Sequence, residues 1–107
     1  MKLPSSIKNI RHKISIKTKN NVKIIDVEKI MYCKADGNYC YIYLIDSPKP
    51  IHVAKKLKEI QIMLKSQTFF RANRSFLVNL SYIEEFDRSK QIVLTLINQE
   101  KIPISCY

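Results

Sequence analysis

The sequence predicts a mainly β domain, antiparallel and built of short strands with one short α-helix, and three observations carry that prediction. Apolar and polar residues alternate at period two in run after run, each run bounded by turn-forming residues. Only the stretch 55–65 shows helical spacing, with Leu57, Ile60 and Leu64 at i, i+3 and i+7. No strand–helix–strand rhythm and no internal repeat appears, which leaves antiparallel pairing through tight turns.

Taken in order, residues 1–13 mix Pro4, paired serines and cations without a period and read as a lead-in or linker remnant, ahead of a single domain over 14–107. Ile14 to Thr18 alternates, Lys19-Asn20-Asn21 supplies a turn, and Val22 to Ile25 returns as the second arm of a hairpin. Asp26 is placed to cap a single helical turn that runs on to Lys29. Ile30 to Ala35 and Tyr39 to Ile45 form a second hairpin about Asp36-Gly37-Asn38, where the only glycine in the chain suits a positive φ. Tyr39, Tyr41 and Tyr43 share one face of the returning strand, while Cys40, Ile42 and Leu44 share the other and read as buried.

Ser47-Pro48-Lys49-Pro50 breaks the strand, and Ile51-His52-Val53 begins another. At the start of the helix, Ala54-Lys55-Lys56 offers no capping acceptor and sets cations against the helix dipole, so the first turn should fray. Tyr82 to Phe86, Gln91 to Ile97 and Lys101 to Ile104 close the domain as strands, joined by turns at 87–90 and 98–100.

A chain of 107 residues suits one core, and 46% hydrophobic against 26% charged residues is the balance of a folded domain and not of a disordered one. No apolar run reaches the roughly 20 residues a membrane span needs, and Met1 to Ser6 lacks the apolar core of a signal peptide, so a cytoplasmic protein is expected. The net charge of +10 favours polyanions, with nucleic acid the leading partner class. An anionic membrane surface is the rival, but it calls for one basic amphipathic helix, and the cations here are scattered.

Cys33, Cys40 and Cys106 form no CxxC pair and have no suitably spaced histidine, so no metal or other cofactor is expected, and Cys33 and Cys40 read as small buried hydrophobes. His12 and His52 belong to no catalytic pattern, and an enzyme is not expected. Glu84, Glu85 and Asp87 would repel DNA and are placed away from any binding face.

The functional candidate is Phe69 to Asn79, where aromatic and aliphatic anchors bracket the polar run Arg71-Ala72-Asn73-Arg74-Ser75. Guanidinium and amide groups held there match phosphate oxygens and the edges of guanine and adenine. Arg74 is the candidate for a base edge, because a bidentate arginine–guanine contact carries about 1–3 kcal/mol of discrimination. Arg71 is expected to grip phosphate, helped by Arg88 and Lys90 from a neighbouring turn, whereas Asn79 is expected to satisfy local backbone groups.

Phe69-x-Arg71-x-x-Arg74-Ser75-Phe76-Leu77-Val78-Asn79 resembles the central signature of the LytTR DNA-binding domain of bacterial transcription regulators. Ile30 to Tyr39 resembles that family's first block, Leu57 to Ile60 with Leu64 its helix, and Ile102 to Ser105 its closing strand. The resemblance implies an elongated stack of small antiparallel sheets whose loops enter successive major grooves of double-stranded DNA at promoter direct repeats. A C-terminal contact would then lie at the intervening minor groove. It assigns base or groove contacts to Asn38, Tyr39, Asn73, Arg74, Ser75 and Tyr107, and phosphate contacts to Arg71, Arg88, Lys90 and Ser105. It also implies a receiver domain or sensor kinase partner in the full system and a dimer on DNA.

Two departures stand out: the uncapped Lys56, where the family often has Ser or Thr, and Cys106-Tyr107, where basic residues and a short helix usually follow Ser105. Two rival readings remain at this stage. One is a single-strand or RNA binder using the tyrosine face, and the other is a protein-interaction module.

Overall fold

The computed structural model describes residues 13–65 and 68–105, so the contact assigned to Tyr107 and all of the lead-in read over 1–13 except Lys13, which opens the first strand, lie outside the described residues. Among the described residues, ten strands form three antiparallel sheets with one α-helix, the mainly β stack that the alternation and the resemblance imply. β1 (Lys13–Lys17) pairs with β2 (Val22–Asp26). β3 (Ile30–Asp36), β4 (Tyr39–Leu44), β5 (Ile51–Val53), β6 (Phe69–Arg71) and β7 (Phe76–Asn79) make a five-stranded sheet in the order β5-β4-β3-β7-β6. β8 (Ile83–Asp87), β9 (Val93–Leu96) and β10 (Lys101–Pro103) form the third sheet, with β9 in the middle.

The five-stranded sheet is a wall between two cores, and strand alternation decides which side chain enters which. On one side Cys33, Cys40, Ile42, Val53 and Leu77 pack with Ile16 and Ile25 of the first hairpin and with the helix α1 (Leu57–Met63). On the other, Tyr32 and Val78 meet Leu94, Leu96 and Ile102 of the third sheet. A side chain fully buried there stabilises the fold by about 1.5–3 kcal/mol. The register of β3 on β4 shifts between Ile30 and Tyr32, so these two residues go to opposite cores although plain alternation would put them on one face.

The helix is shorter than 55–65 because nothing on Lys56 can accept a hydrogen bond from the first turn. Glu59 Oε1 instead accepts from the Lys56 amide at 3.3 Å, half of a capping box, and the helix starts at Leu57. Its stripe is as the spacing requires, with Leu57, Ile60 and Leu64 all buried. The cap at Asp26 also forms, its carboxylate accepting from Glu28 N at 3.2 Å ahead of a short 3-10 turn. Gly37 turns the second hairpin at φ +62°.

Candidate nucleic-acid interface

Antiparallel pairing decides which turns share an end of the molecule. Lys34 lies opposite Phe76, so the hairpin tip 36–39 and the loop 72–75 leave the five-stranded sheet at the same end, and Ala35 N donates to Ser75 O at 2.8 Å between them. Across the loop, Ser105 N donates to Ala72 O at 3.0 Å and Asn73 Nδ2 to Pro103 O at 2.7 Å. Pro103 lies opposite Val93, and Ile104 N reaches Ile92 O at 2.8 Å, which brings the β8–β9 turn with Arg88 and Lys90 to this end too. The order across the end is therefore tip, loop, C-terminal segment, with the loop in the middle.

Within the loop the polar side chains divide into two groups. Arg71 is half-buried on the helix side of the sheet, where Nε donates to Asn73 O at 2.8 Å, one terminal nitrogen to Gln61 Oε1 at 2.8 Å and the other to Arg74 O at 2.7 Å. Asn73 spends its amide in the same way, because its Oδ1 also accepts from Ser75 N at 2.8 Å. The sequence offers both as DNA contacts, but their donors and acceptors are turned inward onto the loop and β10. Arg74 differs: its carbonyl is held by Arg71, while its exposed guanidinium makes no hydrogen bond or ion pair among the described residues. Ser75 and Ser105 are likewise exposed.

At the tip, Asn38 and Tyr39 are exposed, and the Tyr39 ring stacks on His52 with centroids 5.0 Å apart. His52 lies 4.6 Å from Tyr41 on its other side, and its Nε2 is 3.3 Å from Asp36 Oδ2. His52 thus props the tip from β5, a role the sequence hid because its neighbours lie on other strands. The tyrosine face is not a continuous open ladder. Tyr43 is stacked on Tyr32 at 4.4 Å in the second core, and Tyr41 is half-buried, leaving Tyr39 as the exposed ring. Burial pushes the Tyr32 hydroxyl up to about 12, and Glu100 adds to it.

Phe70 also corrects an expectation: its side of the sheet lies at an edge, so it stays 38% exposed, unlike Leu77 and Val78. Asn79 is the structural residue expected, its Nδ2 donating to Ile30 O at 2.9 Å and its Oδ1 accepting from Ser81 N at 3.0 Å.

Both ends carry charges of both signs, with Asp36 at the tip and Lys29 paired to Asp46 at 2.8 Å at the opposite end. Arg74, Lys34, Arg88 and Lys90 belong to the end with the loop. Asp26, Glu28 and Asp46 lie at the other, where Tyr82 donates its hydroxyl to Glu28 O and Glu84 accepts from Gln99 at 2.8 Å. Asp87 departs from its expected place, since it sits at the base of the Arg88–Lys90 turn. Its carboxylate accepts from Ser89 N and Oγ at 2.9 and 2.8 Å, and these bonds hold its pKa below the ordinary carboxylate value. A cleft of about 570 Å³ opens at the far end between Leu64, Phe69 and Tyr82.

The chain has relatives among known proteins. The chain is 29% identical over 96 residues to the heme-containing CO-sensing transcriptional regulator RcoM 1 of Paraburkholderia xenovorans, a match that takes in 87% of this chain and 35% of that protein. It is 28% identical over 97 residues to the sensory transduction protein LytT of Bacillus subtilis, covering 89% of this chain and 39% of LytT. The chain therefore spans little more than a third of these relatives. A LytTr DNA-binding domain from Bacillus cereus superimposes with a TM-score of 0.69 at 25% identity, covering 88% of this chain and 86% of that one. The family model for the LytTr DNA-binding domain matches residues 20–107, and the chain belongs to that family.

Proposed function

We propose that the domain binds double-stranded DNA sequence-specifically, as the DNA-reading part of a bacterial transcription regulator that acts in the cytoplasm at promoter direct repeats, one domain per repeat. The observation that carries this reading is the gathering of the tip, the loop, the C-terminal segment and the Arg88–Lys90 turn at one end, with the Arg74 guanidinium unengaged.

The loop 72–75 is the middle segment of this end, and from it Arg74 reads a base edge. Asn38 and Tyr39 reach base edges from the tip beside it, while Ser105, Arg88 and Lys90 take phosphates. Two such domains side by side give a dimer on repeated sites. The remaining part of a regulator of the relatives' length is the place for a receiver domain, or for coupling to a sensor kinase.

Competition binding tests the reading. A duplex selected from a random pool should outcompete scrambled duplex and both of its separated strands. Arg74→Ala should weaken the selected duplex at least tenfold and scrambled duplex much less, as the loss of about 1–3 kcal/mol of discrimination requires. A preference for single strands, or equal losses on both duplexes, would overturn it.

A further inference from the structure

We infer that Gln61 and Arg71 form a positioning pair that sets the geometry of DNA reading from the helix, without either residue contacting DNA. Gln61 stands on α1, ten residues before Arg71, and gives it a side-chain acceptor from outside the loop. From that anchor the guanidinium fork holds the carbonyls of Asn73 and Arg74, the two residues that aim the Arg74 side chain. Asn73 in turn ties the loop to Pro103 and caps Ser75 N. One planar group therefore links helix and loop, with Asn73 carrying the link on to the C-terminal segment, a geometry that lysine, a single point donor, cannot reproduce. Half-buried and facing the helix, Arg71 is turned to the protein and not to a phosphate.

The inference rests on duplex DNA being the ligand of this end, and it changes one expectation drawn from the sequence. A phosphate-gripping Arg71 would weaken all duplexes alike and flatten the salt dependence, whereas a positioning Arg71 lowers discrimination at an unchanged salt slope.

The test uses the 107-residue chain with Gln61→Ala, Gln61→Glu and Arg71→Lys. Gln61→Ala should lower the ratio of selected to scrambled duplex affinity about threefold to tenfold, the range one lost hydrogen bond allows, with the salt slope unchanged and the unfolding midpoint close to the parent. Gln61→Glu restores an acceptor for Arg71 and should recover the ratio, although a residue touching phosphate would lose binding through the added negative charge. Arg71→Lys should behave as Gln61→Ala. Amide exchange gives a readout without DNA: Ser75 and Ser105 amides should exchange faster in Gln61→Ala while the Leu77 and Val78 amides do not change.

An unaltered ratio together with unaltered exchange at Ser75 would overturn the inference, and so would an equal loss on both duplexes with a flatter salt slope. If no duplex is preferred by the parent chain, the proposed function fails, and the exchange at Ser75 alone decides whether the pair holds the loop.

Discussion

Cys40 joins packing to the hairpin tip, one residue after Tyr39, and its thiol is 0% exposed. Burial pushes its pKa up to about 11 from 9.0, and the more deeply buried Cys33 moves further in the same direction. A folded-state pKa above the unfolded one means that the contribution to stability is complete below about pH 9 and is lost as pH rises through about 11. Unfolding free energy should therefore decline across that window, and a flat profile would refute the burial of both thiols. At neutral pH a soluble alkylating reagent should label Cys40 slowly in the folded chain and rapidly in denaturant, with bound duplex adding little protection. Alternation made this burial legible, because Ile42 shares the face of Cys40 and period two leaves no other place for it. Arg71 was not legible in the same way. Its acceptors are carbonyls of a turn and an amide on a helix, and only tertiary contact brings them within reach.

Among the elements, the second hairpin was read nearly residue for residue, because its turn chemistry and its alternation agree. Gly37 adopts φ +62° with no atom within 4 Å of where a Cβ would lie, so a substitution there meets backbone strain and no clash. Gly37→Ala should cost about 1–2 kcal/mol, and Gly37→Asn less, since asparagine tolerates the left-handed region. Urea unfolding at matched m-values measures both, and equal costs for the two would show that the side chain meets an obstacle. The helix start was half legible: the missing cap could be seen at Lys56, but its replacement by Glu59 depends on the turn closing first. The irregularity in β3 left no mark in the sequence, because Ile30, Met31 and Tyr32 are all apolar and alternation has nothing to detect among them.

For the molecule as a whole, the gathering of turns at one end follows from sheet order, which no local pattern encodes. The resemblance supplied the architecture and the candidate loops, while the order of the segments came from the bonds between Ala35, Ser75, Ala72 and Ser105. The cations placed at the loop end have a measurable outcome. Arg88→Glu and Lys90→Glu should weaken selected and scrambled duplex alike and lower the salt slope by about one for each phosphate that is no longer neutralised. Lys29→Gln, at the other end where Lys29 pairs with Asp46 at 2.8 Å, should change duplex binding little near physiological salt, where screening acts over about 8 Å. A Lys29→Gln effect as large as that of Lys90→Glu would mean that the charge acts as a diffuse cloud and not through placed side chains.

The hydrogen bonds inside the loop 72–75 also bear on the thermodynamics of association. A reading segment whose carbonyls and amides are already engaged has little conformational freedom left to surrender, so binding need not carry the large heat-capacity decrement of a chain that orders on its target. What calorimetry should register is the meeting of two preformed surfaces, with the entropy of the loop spent when the domain folds and not when it finds DNA.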